Sequence, residues 1–580
     1  MSTHDYDLQL NDNDAERKWG GTVRPMPKAV IPGGQLASVA TSAPVAELQR
    51  DLRAVGIALD KSANGKLEMD TELALREFQI YASMNHVAKE DPASTATEYA
   101  DKLTQVATGK HKYPGPISGV YNAATRAAMD HWLANHWRCP VVLDVWDMKK
   151  KPPTRVGRNV WRRDDDSVKN HVVRALDLSG GFGAQGQTEL WDVGTSTKYD
   201  GRRGPVVTFE QAAAQAEVLP ESLVGQTWAA MAAETRSKFK VVRAVAEVEC
   251  QAFFDLLNGY DDGVVSLGIF HWIVGLGTNQ RKDGKVTRQP DGAGELARIF
   301  HRIAKENGAD YEAEFVRFGA DVRPTAKAVP RFKLQAEAGD FPEPNDSDEG
   351  FNLQRQHVEY LRSWHWFYRF VMLSRNWVAL RQVQWKEALE RIEEVRGLLV
   401  PEEQLDPGKG SARFTLGQVF TSELGIGYLL RWHVNRPANV AKGKQIGSKI
   451  ADIINRAKSK DPGLAWASAP GIWGDKEELA LLGALEGQVA DWAAEAEAKK
   501  KEKDEAKEKG SYKPGTTAAS VVDTSLRKIK TFPNVESHWT MDRTLVGPLS
   551  TKRNSYLFAA PAPPAPAPTP SAPAPSPSTP

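Results

Sequence analysis

The sequence predicts a mainly α, multidomain protein, and three observations lead there. At 580 residues the chain exceeds what one hydrophobic core organises, so about two to four domains are expected. Apolar residues recur at helical spacing from Val45 through Leu48, Leu52 and Val55. Helical patterning returns in long Trp-rich stretches between Phe209 and Ala498, such as SWHWFYRFVMLSRNWVALRQVQW. Only the interval from Cys139 to about Gly204 switches to short β-like runs, VVLDVW, RNVWRR and HVVRALDL, separated by turn residues.

The elements follow in order. Residues 1–37 are polar and punctuated by Gly and Pro, which reads as a flexible N-terminus. A helix starts at Val45 and stops at Gly56, and a second runs from about Asp70 to Tyr81. Residues 38–140 form one helical domain, 141–220 a small β-containing linker domain, and 221–497 a large α-rich domain. Residues 498–557 are a charged linker and extension, because Lys499 to Lys509 is a mixed charge run suited to a solvated helix end. The Pro/Ala/Ser-rich residues 558–580 read as a disordered tail.

Composition narrows the function classes. Net charge is +1, so no global field steers the chain to nucleic acid or to anionic membrane. The two cysteines, Cys139 and Cys250, cannot build a disulfide framework, which suits a reducing cytoplasm. The opening MSTHDYDLQLNDNDAERKWGG lacks the apolar core of a secretory signal. No apolar run approaches the roughly 20 residues that span a bilayer, so no membrane insertion is expected. The 17 Trp residues are many for this length. Core packing is their ordinary role, and stacking on sugar faces is the functional alternative.

Two stretches repeat. NGKLEMDTELALREFQ carries Gly65, Thr71, Ala74 and Phe78, and SGVYNAATRAAMDHW carries Gly119, Thr125, Ala128 and Trp132. Both fit Gly-x5-Thr-x2-Ala-x3-aromatic, 54 residues apart. Gly permits a tight turn, Thr is suited to cap the next helix, and Ala and the aromatic share a buried face. With Leu48, Gln49, Leu52 and Gly56 ahead of the first copy and Gln79 closing it, the pattern resembles the small three-helix peptidoglycan-binding family. The second copy is expected to use Glu98 to Val106 as its leading helix, although that stretch lacks the Leu-Gln pair. The resemblance implies a wall-binding-like module whose partner is peptidoglycan or a related amino-sugar polymer. A helical bundle without binding function is the plain alternative.

The residues most suggestive of chemistry lie in VVRAVAEVECQAFFDLL, residues 241–257. Wound as one helix, Val241, Val242, Val245, Val248, Ala252, Phe253, Leu256 and Leu257 share an apolar face. Arg243, Glu247, Gln251 and Asp255 share the opposite one. Glu249 stands on the apolar face, where a carboxyl needs a partner or a proton. Desolvation raises a carboxyl pKa, as a glycosidase acid requires. The structural alternative is a Glu paired with a buried Arg.

Downstream, YDDGVVSLGIFHW holds Tyr260, Asp261, Asp262, Ser266, His271 and Trp272, and Gly294-Glu295-Leu296 follows. Together with Phe253, Phe254, Asp255, Asn258 and Gly268, and with TSELGIGYLLRWHVNRP at 421–437, these residues resemble the lysozyme-like superfamily, in its chitosanase and goose-type lysozyme branches. Cys250 and Ala252 stand where that pattern has Gly. The resemblance implies a lysozyme-like α-rich hydrolase domain acting on β-1,4-linked amino-sugar polymers, peptidoglycan before chitosan. Glu249 would protonate the leaving oxygen, and Asp261 or Asp262 would position or activate water. Ser266 would bond the water or a sugar hydroxyl, and Tyr260, His271 and Trp272 would line subsites. Each has a bland alternative: turn chemistry for the two Asp, capping for Ser266, core packing for His271 and Trp272, and helix N-terminal stabilisation for Glu295.

Rival chemistries are weaker. His131, His136 and Cys139 match no zinc spacing, and Cys250 lacks electropositive neighbours in sequence. GxSxG and P-loop motifs are absent, so neither cofactor nor metal is expected. A non-catalytic wall-binding or phage or secretion-apparatus protein with an inactive lysozyme-like fold remains the alternative. A chain made in the cytoplasm without a signal peptide would reach the wall through a phage particle, a holin, an injection machine or host lysis. The surroundings of Glu249 separate the readings: facing Asp261 or Asp262 across a cleft favours catalysis, and sealing against an Arg favours the inert form.

Overall fold

The computed structural model describes residues 7–16, 18–19, 22–23, 28–30, 36–38, 43–57, 63–161, 168, 171–181, 187–198, 205–208, 223–250, 252–259, 264–275, 278–282, 285–289, 293–324, 330–334, 360–401, 413–435, 440, 449–467, 469–508 and 548–556. Among these the helices are α1 (Pro44–Ala54), α2 (Met69–Ala82), α3 (Ala123–Ala134), α4 (Ala233–Cys250), α5 (Glu295–Glu306), α6 (Gly308–Glu314), α7 (Trp364–Asn376), α8 (Val378–Gly397), α9 (Leu416–Val419), α10 (Glu423–Asn435), α11 (Lys449–Lys460) and α12 (Asp475–Glu508). Helix is the commonest regular structure, and the strands pair antiparallel. No helix of the described residues is long and apolar enough to cross a membrane. The chain divides into two compact units, residues 1–217 with 253–384, and residues 218–252 with 385–580.

In the first unit, α1 and α2 form where the apolar periodicity places them. Gly56 ends α1 with φ +87°, a conformation that favours glycine. Helix α2 is the centre of this unit, for every residue from Thr71 to Ala82 is buried, polar ones included. Residues 7–16, expected to be loose, are held by backbone bonds. Leu8 is buried and exchanges hydrogen bonds with Tyr121, and Asp14 accepts from the N–H groups of Val45 and Ala46 at the start of α1. Four otherwise unsatisfied N–H groups at a helix start explain why a carboxylate docks there.

The stretch from Glu98 to Val106 is not a leading helix. A single 3-10 turn at Ala100–Lys102 runs into β2 (Leu103–Ala107), which pairs with β1 (His86–Glu90), itself paired with β3 (Trp137–Arg138). The β-like runs are strands at β4 (Val141–Asp147) and β6 (Val172–Asp177), with β5 (Thr154–Gly157) between them. Of RNVWRR, the described residues 158–161 are not in a strand. The sheet also passes residue 220, where the linker domain was expected to end. It continues through β7 (Gln187–Lys198), β8 (Pro205–Thr208), β9 (Leu257–Asn258), β10 (Val265–Leu267) and β11 (Trp272–Val274), in the order β11-β10-β9-β8-β7-β6-β4-β5. A single pairing, Thr208 with Asn258, joins β8 to β9.

Helix α7 carries the run WHWFYRFVML, and Trp364, Trp366, Tyr368 and Phe370 are fully buried. Inside it, Arg369 meets Glu77 of α2. Both side chains are sealed, at 1% and 0% exposure, in a two-pronged ion pair that the Tyr360 hydroxyl joins. Burial, the largest single effect, would raise the Glu77 carboxyl, but the Arg369 charge and hydrogen bonds, with His365 and the Tyr360 hydroxyl, together hold Glu77 below the ordinary carboxylate range. The N-terminal helices therefore share one core with α7 and are not a detached bead.

The described residues of the second unit are mainly helical, with one antiparallel pairing of Leu399–Pro401 and Arg413–Thr415. Phe239 of α4 packs on Trp385 of α8 at 5.3 Å between ring centroids, and Trp466 meets Trp473 at 5.1 Å. The charge run is the continuation of α12, with Lys501 and Glu505 exposed. The 558–580 tail lies outside the described residues.

Candidate functional site

The repeat closes on itself by hydrogen bonds. Gln49 accepts from the Gly65 N–H (3.0 Å) and donates to the Lys66 carbonyl (3.0 Å) and the Thr71 hydroxyl (2.9 Å). Gln79 accepts from the Gly119 N–H (2.9 Å) and donates to the Val120 carbonyl (2.9 Å) and the Thr125 hydroxyl (3.1 Å). Atom for atom, the second set repeats the first. Both amides are buried, at 3% and 0% exposure, and they answer an interior demand that would otherwise leave polar groups unpaired. The leading helix of the second copy is thus α2 itself, whose Phe78-Gln79 ends the first copy and opens the second. Neither Thr is a cap. Asn122 caps α3 by accepting from the Thr125 N–H, and both Thr hydroxyls serve the Gln locks.

In the second unit α4 ends at Cys250, seven residues before the single helix expected to reach Leu257. The cause is Ala252, whose φ is +64° and whose N–H turns back to the Ala246 carbonyl. Phe253, Leu256 and Leu257 therefore do not flank Glu249 on a helix face. Glu249 sits one residue from the helix end and pairs with Arg431 of α10. The side chains are 7% and 5% exposed. The expected polar face is also interior: Arg243 donates to Glu247 at 2.9 Å and both are buried. Two residues beyond Arg431, His433 accepts from Arg391 Nε at 3.2 Å. Burial and then the Arg391 charge push His433 down to about 4, so it is neutral at pH 7. The Glu249 carboxyl is thus engaged by a guanidinium from within the same unit. No family model, curated protein or solved structure matches the chain.

The other expected site residues belong to the first unit. Tyr260, Asp261 and Asp262 lie outside the described residues. Ser266 is in β10, 1% exposed, opposite Asn258 and Ile273 in the ladder. Trp272 in β11 is also 1% exposed, with its ring 5.3 Å from Phe270, which is the packing role. His271 is half-buried in the turn before β11, with φ +50°. Gly268 has φ +78° and lies so close to Gln384 that a side chain would clash, and Gly294 likewise abuts the Ile273 carbonyl. Asp255 is ion-paired with Arg375 at 2.5 Å. Glu295 opens α5, half-buried, in the first-turn position where acidic residues stabilise a helix.

The two cysteines are interior. The Cys139 thiol donates to the Val141 carbonyl, and burial pushes it well above the ordinary thiol range. Cys250 donates to Ala246 of its own helix. Sequence reasoning did not single out Arg431, Arg369 or the second role of Gln79. Arg431 in YLLRWHV and Arg369 in WFYRFVM carried the same signal as Glu249, a lone charge inside an apolar helix.

Proposed function

We propose that this chain is a cell-wall-directed binding protein in which residues 44–138 recognise peptidoglycan or a related amino-sugar polymer, and the lysozyme-like region is an inactive scaffold. The observation that carries this reading is the doubled Gln–Gly–Thr lock. The residues behind the resemblance to the peptidoglycan-binding family join twice in one geometry, so chance spacing does not account for them. The Glu249–Arg431 pair favours binding over hydrolysis, because it engages the carboxyl with an arginine inside the unit, the arrangement of a structural ion pair. Export by a phage particle or secretion apparatus belongs to the same proposal.

One observation favours a second reading, a muramidase-like peptidoglycan hydrolase. Ala252 holds a left-handed backbone at a position where the lysozyme-like pattern has glycine. In that reading Glu249 is the acid that protonates the leaving oxygen.

Pull-down on purified sacculi, with reducing ends assayed in the same samples, separates the two. Wild type is expected to co-sediment without releasing reducing ends, and Glu249→Gln to behave alike. Release by wild type that Glu249→Gln abolishes would establish the hydrolase instead. Gln49→Leu breaks one lock without touching the Glu77–Arg369 pair and is expected to weaken co-sedimentation several-fold. Unchanged co-sedimentation would make the module a spacer. Deleting residues 38–140 is a poorer test, since it strips Arg369 of its counter-ion.

A further inference from the structure

Residues 548–556, PLSTKRNSY, reach the second unit after the stretch 509–547 and seat there as a bound peptide would. Arg553 is the anchor. Its Nη1 donates to the Val419 carbonyl (3.0 Å) and to Glu478 (2.7 Å), and its Nη2 to the carbonyls of Gln418 (2.7 Å) and Pro470 (2.6 Å). The guanidinium also lies 5.8 Å from the Trp473 ring centroid, and Arg553 is 9% exposed. A planar cation with several fixed donors meets four acceptors, a degree of recognition ordinary surface arginines lack.

The rest of the segment is held as closely. The Ser550 N–H donates to Glu423 (2.8 Å), the Arg553 N–H to Asp475 (2.7 Å) and the Asn554 N–H to the Thr421 hydroxyl (2.9 Å). Leu549 and Tyr556 are buried at either end, and Arg396 lies over the Tyr556 ring at 5.3 Å. Two of the receiving carboxylates, Glu423 and Glu478, also have partners outside the segment. Glu423 is bonded by Ser237 (2.7 Å) and paired with Lys240, both of α4, and Glu478 accepts from the Ser422 N–H (2.9 Å) ahead of α10.

We propose that the surface formed by α9, the start of α10 and the Pro470–Glu478 corner is a peptide-recognition site. Its specificity is for an arginine followed by small polar residues and an aromatic, and residues 548–556 are an exchangeable ligand carried by the chain itself. Three carboxylates facing a segment with Lys552 and Arg553 supply the charge complementarity, and Arg553 is the hot spot. The proposal stands apart from the wall-binding reading.

The test adds a fluorescein-labelled peptide of residues 548–556 to three folded proteins: wild type, full-length Arg553→Ala, and a chain ending at residue 547. Anisotropy is expected to rise saturably with the two variants. Wild type, already occupied, should bind at least tenfold more weakly, and a peptide carrying Arg553→Ala should bind neither variant. Absence of binding to variants that keep native circular dichroism would overturn the proposal. So would loss of folding in both, because the segment would then be an integral part of the core.

Discussion

A charge buried inside a helix asks for a partner, and at two places among the described residues the answer is an Arg–Glu pair between helices far apart in sequence. Glu77 finds Arg369 in full burial, and Glu249 finds Arg431 in a largely buried pair. The repetition weakens any special status for Glu249, whose position on its helix was readable as an anomaly from the first. Its partner was not readable, because Arg431 lies 182 residues away and only packing joins them. Arg431→Met should remove the guanidinium from a largely buried carboxylate and cost about 3–5 kcal/mol in urea unfolding. Adding Glu249→Leu to that variant should recover most of the loss. A single-variant cost under about 1 kcal/mol would show that Glu249 does not depend on the guanidinium.

At the scale of elements, the sequence placed α1 and α2 within a residue or so at each end, with a 3.6-residue apolar stripe and a glycine stop marking α1. The end of α4 was hidden because Ala252 makes a turn that a glycine would have announced. The second lock was hidden by the β1–β2 hairpin, which lengthens the Gln-to-Gly separation from 16 to 40 residues. Two positive-φ glycines, Gly119 of the second lock and Gly109 outside both locks, make a graded prediction. Gly119 has φ +74°, and a Cβ there would run into the Glu72 carboxylate, whereas Gly109 has φ +54° and open space. Gly119→Ala should cost more than about 2 kcal/mol and Gly109→Ala about 1 kcal/mol, read from denaturation midpoints. Equal costs would mean that the Glu72 side chain yields freely.

Across the whole molecule, two interior histidines set a common response to acid. His365, 2.6 Å from the Tyr81 hydroxyl in the first unit, is pushed down to about 4 by burial, and His433 in the second unit reaches a similar value. In the unfolded chain each takes up a proton near pH 6.5. Between those values the unfolded state binds more protons, so stability is full above about pH 6.5 and falls as pH drops toward 4. For His365 the loss is roughly 3 kcal/mol. Asp51, raised to about 6 by burial and then by Glu47, works the other way and softens the slope. Urea midpoints should fall between pH 7 and 4.5, and His365→Gln should flatten the dependence. A midpoint indifferent to pH would refute the neutral buried imidazole.

The Glu77–Arg369 pair spans 292 residues, and that separation bears on how the protein is made. A ribosome has built α1 to α3 and most of the large sheet before α7 emerges. Until then Glu77 is a carboxylate in a half-assembled core, with its counter-ion still unsynthesised. Fragments that stop short of Arg369 leave Glu77 without that counter-ion and are expected not to complete this core.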